Sequence, residues 1–226
     1  MPHCIGNVFD LSGKCKDRDV LILGAASTVK YYKKNILNLI KKNRLVVIGI
    51  NNITHIIIPD YHLWTNNKRL ETFGGCIDKQ STILLGCNIL KDTIERMKFN
   101  YYNVPYVDTA FQGIFKEPGF YQYVIKGSFR VAGNLAIAIA SILGARNIYY
   151  AGVDGYSQPF NGDQHCYGNG LTDSCDMKYE KAKDEIIYNC LKSIHSKIPF
   201  KIITPTLFKE FYDQTLLAAN TKSGNN

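Results

Sequence analysis

Two short apolar runs constrain this chain most. Residues 19–23 (DVLIL) lead into Gly24-Ala25-Ala26-Ser27, and residues 45–50 (LVVIGI) lead into Asn51-Asn52. Neither run alternates apolar with polar residues, as a strand with one wet face does. Continuous apolar runs of this length suit strands buried on both faces. Between them, Val29, Ile36, Leu37, Leu39 and Ile40 form a partial apolar stripe with lysines and Asn38 in between, which suits an amphipathic helix reaching to about Asn43. Ser27 or Thr28 is its expected N-cap. Strand, helix and strand in this order point to parallel pairing.

The alternation continues along the chain. Residues 55–58 and 61–64 read as a strand region broken at Pro59 and Asp60. Residues 82–85 read as a strand, 89–98 as helical and 101–104 as an edge strand. A loop rich in Gly, Phe and Tyr covers residues 107–126. Residues 129–143 form an Ala-rich helix, with Gly144 placed to stop it. Residues 147–151 (NIYYA) are a strand running into Gly152-Val153-Asp154-Gly155. A polar, Gly-rich stretch at 156–176 has the composition of a functional loop or lid. The longest helix is expected at 177–197, a last strand at 200–203, and a short helix from within 205–212. The fold class is α/β, with a mainly parallel sheet covered by helices on both faces. Residues 1–18 read as an irregular lead-in, 19–217 as one domain and 218–226 as a disordered tail.

At 226 residues, with 46% hydrophobic and 20% charged residues, the chain suits a single globular domain. No apolar run approaches the roughly 18–20 residues of a membrane span. The formal net charge of +8 favours anionic partners and leaves a peripheral membrane contact open. The lysines are scattered, and no basic tract is interleaved with aromatics, so no nucleic-acid partner is expected. The seven cysteines form no CxxC pair, and the N-terminus lacks the layout of a signal peptide. The expected setting is therefore cytoplasmic, with free thiols, no metal and no cofactor.

Ligands of parallel sheets sit at the carboxyl ends of strands, near the point where strand order reverses. That rule selects Gly24–Ser27, Asn51 and Asn52, residues 65–67, and residues 152–156. The small residues at Gly24, Ala25 and Ala26 suit a phosphate approaching the backbone at a helix N-terminus, or simply a tight strand-to-helix turn. The asparagines carry donor and acceptor in one amide plane, which suits sugar and base edges; Asn is also a common turn former. His165, in the loop sequence Asp163-Gln164-His165-Cys166-Tyr167-Gly168, is the candidate general base. His55 and His62, in apolar strand-like context, read as core or edge histidines. Ser128, before the Ala-rich helix, is a helix cap or a contact to a phosphate or sugar at that helix's N-terminus. No GxSxG elbow, HExxH or EF-hand occurs.

The ordered set of segments resembles a known family. Residues 20–27 (VLILGAAS) look like the opening strand–GxGPS–helix of the Campylobacter-type bacterial sialyltransferases. Their relatives include 6-hydroxymethylpterin pyrophosphokinase-like proteins and a domain attached to some 4-hydroxy-2-oxovalerate aldolase-like proteins of surface-sugar loci. Gly49-Ile50-Asn51-Asn52 and Leu63-Trp64-Thr65-Asn66 are similar to family strands that end in Asn. Residues 144–154 (GARNIYYAGVD) resemble the LGxxxIYLxGxDxY segment, followed by a His-bearing loop. Ala25-Ala26 departs from the usual polar or Gly residue followed by Pro.

The resemblance implies a Rossmann-like nucleotide-binding domain with a short lid. It implies glycosyl transfer from a nucleotide-activated sugar, CMP-linked in the sialyltransferases, to a glycan or small-molecule acceptor in surface-glycan biosynthesis. His165 would be the base. Gly24, Ala25 and Ser27 would lie at the phosphates, and Asn51 and Asn66 at the nucleotide or sugar. Ser128, Asp154 and Tyr156 would line the donor pocket. Two other readings stay open. One is a phosphoryl or pyrophosphoryl transferase, with Asp154, Asp163 and Asp173 as candidate Mg²⁺ ligands. The other is a non-catalytic nucleotide-sugar-binding module.

Overall fold

A computed structural model of the chain describes residues 2–110, 113, 114, 116, 118–167 and 177–218. Eight parallel strands form the central sheet: β1 (Cys4–Asn7), β2 (Val20–Leu23), β3 (Val46–Ile50), β4 (Tyr61–Trp64), β5 (Thr82–Gly86), β6 (Tyr101–Val104), β10 (Ile148–Ala151) and β11 (Lys201–Ile202). Their spatial order is β1-β6-β5-β4-β3-β2-β10-β11. From β2 the chain builds outward to β6 on one side; it then crosses to lay β10 and β11 on the other. The order therefore reverses between β2 and β10, where Val20 pairs with Ile148 and Leu23 with Ala151. Helices diverge from such a point and leave a crevice at the carboxyl ends of the strands.

Alternate residues serve the two faces. Val20, Ile22, Ile48, Leu63 and Leu84 pack in one core with α5 (Ala132–Ile142) and with Ile187, Leu191 and Ile194 of α6 (Met177–His195). On α5, Leu135, Ile137 and Ile139 are fully buried, each contributing about 1.5–3 kcal/mol. Its alanines let the helix lie close to the sheet. Leu21, Leu23 and Val47 pack on the opposite face with Ile36 and Leu39 of α2 (Lys33–Asn43). Trp64, Ile83 and Leu85 meet Leu70 of α3 (Asn67–Phe73) on that same face, nearer the β1 edge. The α/β, Rossmann-like expectation holds, and Gly144 ends α5 in the left-handed region at φ +82°, as expected.

Several boundaries differ from the sequence reading. The expected lead-in, residues 1–18, contributes β1, which pairs with β6, and buries Val8, Leu11 and Cys15. Its exposed, polar edge position hides it from an apolar-run search, and it moves β6 off the edge. The segment 55–58 is no strand: Ile56 and Ile57 amides turn back to the Ile53 carbonyl, and Ile53 and Ile56 pack beside α2. The helix expected over 27–43 breaks at Tyr32 into α1 (Thr28–Tyr31) and α2. The expected loop 107–126 contains a second sheet of β7 (Tyr106–Asp108), β9 (Val124–Gly127) and β8 (Gly119–Tyr121). The helix of 89–98 shortens to α4 (Lys91–Glu95), and a 3-10 turn at Lys209–Phe211 replaces the one from 205–212. The chain then reaches α7 (Thr215–Ala218); the expected tail beyond it lies outside the described residues.

Candidate functional site

At the carboxyl ends of β2, β3, β4 and β10 lies a cleft of about 750 Å³. Of the residues singled out in the sequence, Gly24, Ala25, Asn51, Asn66, Asp154, Tyr156 and His165 line it; Ser27 and Ser128 do not.

The β2–β10 wall is tightly built. Gly24 N–H donates to the Ala151 carbonyl at 2.8 Å, and Ala26 N–H to the Gly152 carbonyl at 3.3 Å. A Cβ on Gly24 would stand 2.3 Å from the Gly152 carbonyl oxygen. The glycine is thus needed for contact between two strand ends, and two amides expected to cradle a phosphate are already engaged. Asp154 occupies the N-terminus of α1: its carboxylate accepts from Thr28 N–H at 2.9 Å, from the Thr28 hydroxyl, and from Ser27 Oγ at 3.3 Å. Burial raises the Asp154 pKa, while the Thr28 and Ser27 bonds oppose that rise.

Ser27 stands at the cap position of α1, but its side chain makes no cap bond and donates instead to Asp154 and, at 3.0 Å, to the Phe160 carbonyl. The expected phosphate seat at Ser27 is therefore filled by the protein's own carboxylate. Ser128 is likewise internal. Its hydroxyl pairs with Thr109 Oγ1 at 2.7 Å, accepts from Lys116 N–H at 3.2 Å and donates to the Ile114 carbonyl at 3.0 Å. These bonds tie one loop to another, away from the donor pocket expected of it.

The opposite wall retains unused polar capacity. Asn51 adopts the left-handed region at φ +53°, which Asn tolerates, and its carbonyl accepts from Ile53 N–H at 2.9 Å and pairs with His62 Nε2 at 2.6 Å. Because a carbonyl only accepts, His62 Nε2 carries the proton. Burial lowers the His62 pKa to about 4, against the bond to Asn51. Side-chain Oδ1 of Asn51 is buried and has no hydrogen-bond partner among the described residues. Asn66 caps α3 by accepting from Arg69 N–H at 3.0 Å, which orients its amide at the rim.

The loop at 156–167 closes the cleft. It is held from α6, where the Asp184 carboxylate accepts from Tyr156 and Ser157 N–H at 2.8 Å each. Lys183 Nζ sits 3.2 Å from the centre of the Tyr156 ring, and Gln164 bonds Glu180. Cys166 N–H donates to the Ala25 carbonyl at 2.9 Å. Residues 156–167 of the expected lid form this wall; its residues 168–176, including Asp173, lie outside the described residues.

His165 is 9% exposed and stacks on Tyr167, with ring centres 5.0 Å apart and planes at 15°. Its Nε2 lies 3.3 Å from Arg69 Nη2, and the Tyr167 hydroxyl accepts from Arg69 Nη1. A guanidinium has no acceptor atom, so His165 Nε2 accepts and the imidazole is neutral with its proton on Nδ1. Burial lifts Tyr167 to about 12, with Arg69 opposing, so its hydroxyl keeps its proton.

The sequence reading did not single out Arg69. Its only advance signal is a basic residue in the first turn after the strand-end Asn66-Asn67, and its partners lie 96 and 98 positions away. Arg130, at φ +56°, and Lys183 also line the cleft and were not singled out. Among the described residues no group of three or more His, Cys, Asp or Glu is placed to hold a metal ion. Asp154 is engaged as above, and Asp163 faces the Tyr31 hydroxyl at 3.4 Å. No protein-family model matches the chain, and no curated protein matches it in sequence.

Proposed function

We propose that the cleft binds a nucleotide-activated sugar, CMP-linked as in the family resembled, and transfers the sugar to an acceptor hydroxyl. The observation that carries this reading is the convergence of Asn51, Asn66, Tyr156 and His165, from two strand ends and the loop at 156–167, on one crevice where the strand order reverses. A cleft of about 750 Å³ has room for such a donor. Asn51 lines the cleft with an amide oxygen that has no partner among the described residues, and a turn of that amide would offer it to a ribose hydroxyl or a base amino group.

His165 is the general base of this reading. Neutral and with an Nε2 lone pair, it takes the acceptor proton as the acceptor oxygen bonds to the anomeric carbon. The bond from that carbon to the phosphate oxygen breaks, and the nucleotide leaves with the electron pair. The helix N-terminus after Ser27 has no part in this scheme, because Asp154 occupies it.

The test is transfer from radiolabelled CMP-linked and other nucleotide-linked sugars, with donor hydrolysis read in parallel. His165→Ala is expected to lower kcat at least a hundredfold while nucleotide affinity is kept. Undiminished turnover in that variant removes the proposed base. Nucleotide binding by the wild type without turnover of any donor overturns the transferase in favour of a binding module on the same cleft.

A further inference from the structure

Among the described residues, Arg69 presents a charge without a counter-charge. It is partly buried in the cleft wall, and among those residues its guanidinium hydrogen-bonds only neutral groups: the Tyr167 hydroxyl and His165 Nε2, with its carbon 5.5 Å from the Tyr167 ring centre. The carboxylates lining the same cleft are engaged elsewhere. Asp154 holds Thr28 and Ser27; Asp108 accepts from Ala110, Phe129 and Arg130 N–H; Glu180 pairs with Gln164. Removing a cation from water without an anion is costly, and arginines held this way are poised for an anionic ligand. The planar fork matches two oxygens of a phosphate, and a charge-assisted pair outweighs bonds to a neutral imidazole and phenol.

We propose that Arg69 takes the phosphate of the cleft's ligand, a nucleoside phosphate ester, and gives up its hydrogen bond to His165 Nε2 in doing so. The proposal rests on the nucleotide reading for the nucleoside part alone; the phosphate part stands on Arg69. Its consequence is an order of events. Without the phosphate, the lone pair of the base is held by a guanidinium donor. Once the phosphate has drawn Arg69 away, that lone pair faces the acceptor hydroxyl. Donor binding thus prepares the base, and the same guanidinium then neutralises the phosphate that leaves.

The experiment is calorimetric titration of the full chain with cytidine, CMP and inorganic pyrophosphate, for the wild type and for Arg69→Ala, Arg69→Lys and Tyr167→Phe. Wild type is expected to bind CMP at least tenfold more tightly than cytidine. Arg69→Ala should abolish that ratio while leaving cytidine affinity within twofold, and Arg69→Lys should restore part of it through its point charge. Tyr167→Phe removes the hydroxyl partner but not the charge, and should keep the ratio; it controls for loosening of the loop.

In a histidine ¹H–¹⁵N spectrum, CMP should move the His165 Nε2 resonance in the wild type. In Arg69→Ala that resonance should begin away from its wild-type position, and the CMP-induced movement should shrink. A fall in cytidine and CMP affinity by one common factor in Arg69→Ala assigns Arg69 a structural role and overturns the proposal, as does an unchanged CMP-to-cytidine ratio. Pyrophosphate binding that depends on Arg69, with neither cytidine nor CMP bound, leaves Arg69 standing and removes the nucleotide reading. Failure of all three ligands to bind the wild type overturns both.

Discussion

At the wall made by β2 and β10, the polar groups are engaged with one another: Gly24 N–H with the Ala151 carbonyl, Ala26 N–H with the Gly152 carbonyl, and Asp154 with Thr28 and Ser27. At the wall made by β3, β4 and the loop at 156–167, among the described residues Asn51 Oδ1 has no partner and Arg69 has only neutral ones. Both walls end parallel strands at the same crevice, and fold alone gives them equal claim to a ligand. Their hydrogen-bond inventories separate them. The first wall is a joint that keeps the two halves of the sheet in register, while the second holds the unmet capacity a ligand would use. The small-residue turn after β2 looks like a phosphate loop because contact between two backbones and contact between backbone and phosphate make the same demand: no side chain.

If the first wall is a joint, changes there should cost stability most. Gly152 has φ +76°, and a Cβ on it would lie 2.4 Å from Val29 Cγ2 and 2.7 Å from the Gly24 carbonyl oxygen. Gly152→Ala combines left-handed strain with overpacking against backbone, and is expected to destabilise by about 4 kcal/mol. Urea denaturation measures it. A loss below about 1 kcal/mol would mean that the joint yields, and the contrast between the walls would weaken.

The second wall rests on one buried strut, His62, whose pKa is lowered from 6.5 to about 4. The unfolded chain takes up this proton first as pH falls. Stability from this group is therefore full above about pH 6.5, declines toward pH 4, and the decline amounts to roughly 3 kcal/mol. His62→Gln retains a donor toward the Asn51 carbonyl and cannot take up the proton. Melting curves between pH 7 and pH 4 should show the variant losing less stability than the wild type over that interval. Parallel curves for the two proteins would show that His62 is not held neutral.

The sequence made the central strands legible because burial on both faces leaves runs such as Val20–Leu23 and Val46–Ile50 almost without polar residues. β1 escaped because an edge strand with exposed residues carries no such run, and β7 to β9 because strands of three or four partly exposed residues carry neither an apolar run nor a full period. The break at Tyr32 has no marker of the Gly or Pro kind. In the cleft, strand-end positions were legible from the ligand rule, whereas the uses of their side chains were not. Ser27 and Asp154 are 127 positions apart, and only the pairing of β2 with β10 brings them into contact. Arg69 carried no motif, since its meaning lies in partners from a distant loop.

The smallest stability effect is expected where the ligand claim is strongest. Asn51 holds φ +53° through its backbone, with its N–H donating to the Leu63 carbonyl at 3.2 Å and its carbonyl accepting from Ile53. Its amide oxygen adds no bond of its own among the described residues. Asn51→Gly keeps the backbone conformation at no steric cost, loses some chain entropy and relieves a buried, unsatisfied oxygen. These effects oppose one another, so stability should stay within about 0.5 kcal/mol of wild type. Affinity for cytidine, by contrast, should fall about tenfold, the value of roughly one hydrogen bond to a buried acceptor. Unfolding and titration on the same sample check both halves. A destabilised protein with intact affinity would place Asn51 with Gly152 as part of the joint, and the division between the walls would then run elsewhere.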